Sequence, residues 1–292
     1  MSENVTVTVS VIINCYNSDR FLDQALKSVF EQTFTDWEII FWDNQSNDKS
    51  KKIAQSYGPK VKYYYAENHT NLGKARALAS EKAKGQYLSF LDADDLWDPT
   101  KLEKQINILR NDKHAAMVYS KTRVIDCDNS IIKIWKKNSR LPEGDIYKRL
   151  VKNNFISFCS VLLLKDKFTY VGGFSDDLDH STDFDLFLKL SREFTIRSQN
   201  EVLCSYRVHK NSLTSKNYMS PALESIKIVS RISRNPYEKR NIKYMYATLA
   251  YAHFKYKNYF EMIKVIFKYK IFWQLLVKIF IVKLDLIPPK NF

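Results

Sequence analysis

Three carboxylates stand within four residues at Asp92-Ala93-Asp94-Asp95, directly after the apolar run Tyr87-Leu88-Ser89-Phe90-Leu91. Carboxylates crowded at the end of a buried segment repel one another. A divalent cation with oxygen ligands is the usual remedy, because hard cations hold carboxylates and a diphosphate together. The plainer alternative is that Asp94, Asp95 and Asp98 cap a helix that opens at Pro99, which accounts for one or two of these residues but not for the cluster. A second acidic signal, Asp43, closes Ile39-Ile40-Phe41-Trp42 and leads into the polar stretch Asn44, Ser46, Asn47 and Asp48. A third, Asp183, lies in His180-Ser181-Thr182-Asp183-Phe184-Asp185, where helical spacing begins. From its place alone it reads as an N-cap. Asp185, two residues on, lies on another side of the helix.

The elements that must carry these groups follow from periodicity. Residues 7–14 read as a strand, and Phe21, Leu22, Ala25, Leu26, Val29 and Phe30 then recur at helical spacing behind a cap at Asp19. Strands over 38–42, 61–65 and 87–91 alternate with helices over about 48–57 and 74–84, the second closed by Gly85. The last of these strands is almost wholly apolar, as in the buried middle of a parallel sheet. This rhythm predicts an α/β fold with an open, mostly parallel sheet flanked by helices, whose ligands sit at the carboxyl ends of the strands. Both Asp43 and Asp92 fall at such ends. After about residue 120 the pattern loosens into a loop or hairpin over 124–143. Apolar order returns over 156–164, Gly172-Gly173 makes a turn, and 202–208 reads as a late strand.

Val9-Ser10-Val11-Ile12-Ile13-Asn14-Cys15-Tyr16-Asn17, then Asp43-Asn44-Gln45-Ser46-Asn47-Asp48, then Asp92-Ala93-Asp94-Asp95, in this order and at these separations, resemble glycosyltransferase family 2. The resemblance covers roughly residues 7–212. It implies a GT-A fold and an inverting transfer of sugar from a nucleotide diphosphate, with UDP the common donor nucleotide. By the same resemblance Asn14, Tyr16, Asn17 and Asp43 receive the base, and Asp92 and Ala93 meet the ribose. Asp94, with Asp92 and His209, would hold Mn2+ or Mg2+ on the diphosphate. Arg76, in Asn71-Leu72-Gly73-Lys74-Ala75-Arg76, would approach the donor; otherwise it is a surface arginine on a helix. Asp183 falls where the family has its catalytic base. His209, in Tyr206-Arg207-Val208-His209, is otherwise a structural histidine after a strand.

Composition bounds the rest. The 292 residues suffice for one large domain with a helical extension, and four cysteines without short pairing read as reduced thiols. The start of the chain lacks the basic and apolar pattern of a secretory signal, so the expected site of action is cytoplasmic. Net charge is +14, and residues 216–292 hold 15 Lys and Arg against 4 Asp and Glu. Two units are therefore expected: a catalytic domain over 1–215, with donor binding about 7–120 and the acceptor side about 121–215, and a basic aromatic extension over 216–292. Residues 271–283 are strongly apolar but carry lysines and fall short of the ~20 clean residues that span a bilayer. They suit a helix lying in the interface on the inner face of a membrane, or one packed on the domain or on a second subunit as a homo-oligomer. Nucleic acid is not the expected partner, because the tail is too apolar for a solvated basic arm. A glycan or glycolipid acceptor is. A non-catalytic sugar-nucleotide or glycan binding module, and a nucleotidyltransferase, remain as alternatives. The module needs no base at Asp183. The nucleotidyltransferase would carry a glycine-rich loop that residues 14–21 lack.

Overall fold

The apolar runs of the first hundred residues become strands buried on both faces. In the computed structural model, which describes residues 7–212, 219–232, 236–255 and 257–283, β1 (Val9–Cys15), β2 (Trp37–Asp43), β3 (Val61–Tyr65) and β4 (Tyr87–Phe90) lie parallel in the order β3-β2-β1-β4. Alternate residues serve opposite faces. Val9, Val11 and Ile13 pack with Leu22, Ala25, Leu26 and Val29 of α1 (Asp19–Phe30), whereas Ile12 packs on the far side with Ala75 and Ala79 of α3 (Leu72–Glu81). Burial on both faces is why these strands read as continuous apolar runs. A short α2 (Ser50–Ser56) joins β2 to β3.

Beyond β4 the sheet turns mixed. β8 (Val161–Leu164) runs antiparallel between β4 and β6 (Ala115–Ile125), and β9 (Thr195–Arg207) pairs parallel to β6. The two-residue β5 (Leu96–Trp97) closes the edge on β9, and β7 (Ile131–Ile134) makes a hairpin with β6, as the polar 124–143 stretch suggested. Thus β6 begins well before the point where the sequence pattern loosens. Helices α4 (Lys101–Arg110), α5 (Tyr147–Leu150), α6 (Lys165–Tyr170) and α7 (Thr182–Glu193) complete the layers.

Several expected helix ends differ. In α1 Ser18, not Asp19, holds the cap position. Helix α3 starts at Leu72 because the Asn71 side chain caps it, accepting from Lys74 N at 2.8 Å. Gly85 does not end that helix; it packs on β1, where a Cβ would come within 2.5 Å of Ser10 N. Helix α4 starts at Lys101 rather than at Pro99, with Thr100 in the cap position, because the Asp98 carboxylate is bound instead to Arg123. A long-range ion pair has displaced a local cap.

The extension is helical: α8 (Met219–Ile232), α9 (Pro236–Lys255), α10 (Tyr259–Tyr269) and α11 (Phe272–Lys283). Ile228 and Val229 of α8 and Met245 of α9 join the core shared with α3 and α7. Ala247, Ala250, Ile271 and Leu275 form a smaller cluster further out. Among the described residues no helix is long and apolar enough to cross a membrane. The expected opening of the tail at 216–218 and its last residues, 284–292, lie outside the described residues.

Candidate active site

Because β2 lies on one side of β1 and β4 on the other, the chain leaves β1 and β4 in opposite directions and a crevice opens at their carboxyl ends. Asn14, Asp43 and Asp92 all stand on its rim. Asp43 ends β2 fully buried; its Oδ2 accepts from Tyr63 Oη and its Oδ1 from Ser46 N, each at 2.7 Å. Ser46 also accepts from Asn17 N at 3.0 Å, and Asn17 Oδ1 accepts from Asn47 N at 2.8 Å, so the loops after β1 and β2 form one platform. Asn17 sits at φ 49°, a left-handed conformation that asparagine tolerates. Tyr16 is half exposed over the platform, its ring 4.4 Å from that of His69. Asn14 Nδ2 is buried without a hydrogen-bond partner, an unspent donor facing the place expected for a base. Asn44, expected beside Asp43 on the rim, turns away to hold Thr70 through Nδ2 to its carbonyl at 2.7 Å.

Arg76 ties the next pieces together. Buried on α3, it donates through Nη2 to Asp92 Oδ1 at 2.8 Å and through Nη1 to Thr182 Oγ1, and its guanidinium lies 3.7 Å from the centre of the Phe158 ring. It is therefore no surface arginine. Burial pushes the Asp92 carboxyl above the usual carboxylate range against the pull of Arg76, and the charges of Asp94 and Asp183 push it further. Ala93 is buried beside it. Asp94 faces the other way, with Oδ2 2.9 Å from His209 Nε2. Asp95 is fully buried, accepts from Arg207 N at 2.9 Å, and is raised well above the ordinary range by burial and then by Asp94 and Asp92. Neither Asp94 nor Asp95 caps a helix.

The expected metal set of Asp92, Asp94 and His209 is not brought together, and among the described residues no three acidic, histidine or cysteine side chains converge on one point. The reason is Arg76, which holds the Asp92 carboxylate. Asp94 and His209 remain as a facing pair, with His209 Nδ1 buried and unpartnered. Such a pair fits an ion that takes its other ligands from diphosphate oxygens and water, as Mg2+ commonly does.

Asp183 lies in the first turn of α7, not at its cap; Ser181 holds the cap position. Its Oδ2 accepts from Asn154 Nδ2 at 2.9 Å, and it is 8% exposed. Asp185 is different in kind: its Oδ2 meets Lys189 Nζ and Ser175 Oγ, each at 2.7 Å, so its charge is already spent inside the protein.

Several residues around the site carried no sequence signal. Among the described residues Arg207 is the largest fully buried side chain. It donates through Nε to Asp94 O at 2.8 Å, through Nη1 to Asp126 O and Asn129 Oδ1, and through Nη2 to Gln24 Oε1, and so fixes the turn that aims Asp94. Asn154, Thr182 and Phe158 likewise reveal their parts only in three dimensions.

Residues 10–169, more than half of the chain, match the family described as Glycosyl transferase family 2. The chain belongs to glycosyl transferase family 2. An uncharacterized glycosyltransferase of Rickettsia typhi is 34% identical over 70% of this chain, and the matched stretch spans 65% of that relative; for further rickettsial relatives the share falls to about a third. The Escherichia coli UDP-Glc:alpha-D-GlcNAc-diphosphoundecaprenol beta-1,3-glucosyltransferase WfgD is 29% identical over 72% of this chain and 81% of its own length. Among solved structures, S. aureus TarS 1–349 in complex with UDP-GlcNAc superposes with a TM-score of 0.67 at 19% identity, covering 85% of this chain and 73% of that one. The mannosyltransferase PcManGT from Pyrobaculum calidifontis, in complex with GDP-Man and Mn2+, gives 0.64 at 16% identity over 97% and 81%. This family 2 chain thus has the GT-A arrangement expected from its motifs.

Proposed function

We propose that this chain is an inverting glycosyltransferase moving a sugar from a nucleotide diphosphate, UDP in the first instance, to an acceptor hydroxyl. The observation that carries this reading is the Arg76 bridge, which joins Asp92 at the end of β4 to Thr182, the neighbour of Asp183, two residues far apart in the chain. Asn14, Tyr16, Asn17 and Asp43 form the base platform, and Asp92 and Ala93 line the ribose. Asp183 is the general base: it takes the proton from the acceptor hydroxyl as that oxygen attacks the anomeric carbon and the bond to the diphosphate breaks, one displacement with inversion. Asp185, neutralised by Lys189, is unsuited to that task. Asp94 and His209 would hold Mn2+ or Mg2+, which when bound stabilises charge on the departing diphosphate.

The acceptor side comprises residues of about 121–215 and the extension over 216–292. The name of the E. coli relative, a transferase to a diphosphoundecaprenol-linked sugar, supports a glycan on a lipid carrier. So does the outer face of the extension, where Phe260, Ile263, Phe267, Phe272 and Trp273 are exposed, Phe267 at 78% and Trp273 at 74%, beside exposed Lys264, Lys268 and Lys270. Aromatic and lysine side chains together suit the interface of an anionic membrane, on the cytoplasmic face, where each lysine near the surface adds about 1 kcal/mol. Titration of UDP and GDP with and without Mn2+, followed by a screen of their sugars for release of the nucleotide diphosphate, tests the donor reading. Co-sedimentation with vesicles of anionic lipid tests the membrane reading. Binding should be strong at low salt and fall as salt screens the charges. A chain indifferent to anionic vesicles at low salt contradicts it.

A further inference from the structure

The loop of residues 174–181 delivers α7, and with it Asp183. Its inner side is tied to α3: Gly73 N donates to Leu178 O at 2.8 Å, Asn71 Nδ2 to Asp176 O at 2.8 Å, and Leu72 N to Asp179 Oδ1 at 3.2 Å. Its outer side meets the extension at several points, and one carboxylate gathers the three backbone amides that lead into α7. Glu224, on α8, accepts from Asp179 N at 2.7 Å through Oε1, and from His180 N and Ser181 N at 2.8 Å each through Oε2. These three successive backbone donors lead into a helix whose own cap residue makes no side-chain capping bond, because Ser181 Oγ donates instead to Pro221 O. A carboxylate there also complements the positive end of the α7 dipole. Lys227 and Arg231, three and seven residues further along the same face of α8, pair with Asp177 and hold its carboxyl far below the ordinary range.

We infer that Glu224 is a positioning residue for the transfer step: through the amides of Asp179, His180 and Ser181 it sets the first turn of α7, and hence where the Asp183 carboxylate meets the acceptor hydroxyl. The extension thereby completes the acceptor half of the site while leaving the donor half, on β1, β2 and β4, to stand alone. This rests on the reading of Asp183 as base. The consequence is a split. Loss of the three contacts displaces the base by a fraction of an ångström to an ångström, a displacement that costs up to about 10²-fold in rate when geometry is critical, without touching the nucleotide platform.

The test uses the full chain and compares Glu224→Ala with Glu224→Gln, whose amide keeps one acceptor oxygen and turns its NH2 toward a backbone N–H. The double variant Lys227→Ala/Arg231→Ala loosens the same helix without touching the three amides. Expected are a kcat for nucleotide-diphosphate release reduced about 10–100-fold in Glu224→Ala and less in Glu224→Gln, and an affinity for UDP or GDP with Mn2+ unchanged within about twofold. The Lys227/Arg231 variant should stay within about threefold of wild type in kcat. Since Glu224 acts through Asp183, adding Glu224→Ala to Asp183→Asn should cost little more than Asp183→Asn alone. The inference is overturned if Glu224→Ala keeps its kcat, if nucleotide affinity falls in step with kcat, or if the losses in Glu224→Ala and Asp183→Asn multiply. An Asp183→Asn variant as active as wild type would overturn the base assignment, and this inference with it. Hydrogen exchange supplies a readout free of substrate: Glu224→Ala should speed exchange of the amides of residues 179–185 and leave those of residues 43–47 unchanged, and equal protection in both segments would count against it.

Discussion

Asp183→Asn separates a catalytic carboxylate from a structural one. The substitution keeps shape, and the amide oxygen can still accept from Asn154 Nδ2, which now reaches Asp183 Oδ2 at 2.9 Å. The first turn of α7 should hold, because the cap position belongs to Ser181 and the loop is tied down by Glu224. Stability should change by no more than about 1 kcal/mol, since a largely buried charge is exchanged for a neutral group that keeps its hydrogen bond. Asp92 should gain as well, for the Asp183 charge is one cause of its raised pKa. Proton acceptance is what disappears. Loss of a general base lowers rate by about 10²–10⁴-fold, or about 3–5 kcal/mol in the barrier. The assay is single-turnover release of nucleotide diphosphate, with nucleotide affinity measured by calorimetry on the same preparation. Transfer within tenfold of wild type, with the protein folded and nucleotide bound, would refute the assignment.

Asp185→Asn should do the reverse, losing about 1–3 kcal/mol of stability as Lys189 loses its counter-charge while the amide oxygen still accepts a hydrogen bond, with turnover retained in the folded fraction; chemical denaturation alongside kinetics reads both. Gly73→Ala puts a Cβ about where Ser175 O and Leu178 O now stand, 2.2 and 2.6 Å away, so α3 or the loop must move; Tm should fall and kcat with it, and an unchanged Tm would show that the junction is not tight. Lys101 is wholly buried, and burial pushes its amine down to about 7. Between that value and the ordinary ~10.4 the unfolded chain holds a proton the folded chain has lost, so this residue makes stability rise with pH across the window. Urea midpoints of wild type and Lys101→Met from pH 7 to 10 should therefore converge or cross in favour of wild type as pH rises, and parallel curves would refute the burial of a neutral amine.

Much of the β1–β4 half of the candidate site is legible because its signals are local. A strand buried on both faces shows as an apolar run, and Asp43 and Asp92 follow such runs directly. The two-residue β5 is too short to carry such a pattern, and Asp98 looks like a cap until Arg123, twenty-five residues on, claims its carboxylate. The metal set fails for a similar reason, since spacing cannot reveal that Arg76 takes Asp92 while Asp94 turns to His209. Asn154 beside Asp183 and Glu224 beneath the α7 loop are contacts between elements with no shared periodicity, and a side chain with ordinary spacing gives no hint of its partner.

The most direct test of the account is a screen of UDP- and GDP-sugars for release of the nucleotide diphosphate by the full chain, run with Mn2+ and with chelator. The account predicts that at least one sugar nucleotide is turned over, that turnover depends on the ion, and that Asp183→Asn binds the same nucleotide while turning it over at least about a hundredfold more slowly. Turnover undiminished in chelator would contradict the role of Asp94 and His209, and failure of every sugar nucleotide to bind would contradict the claim that this chain is a glycosyltransferase at all.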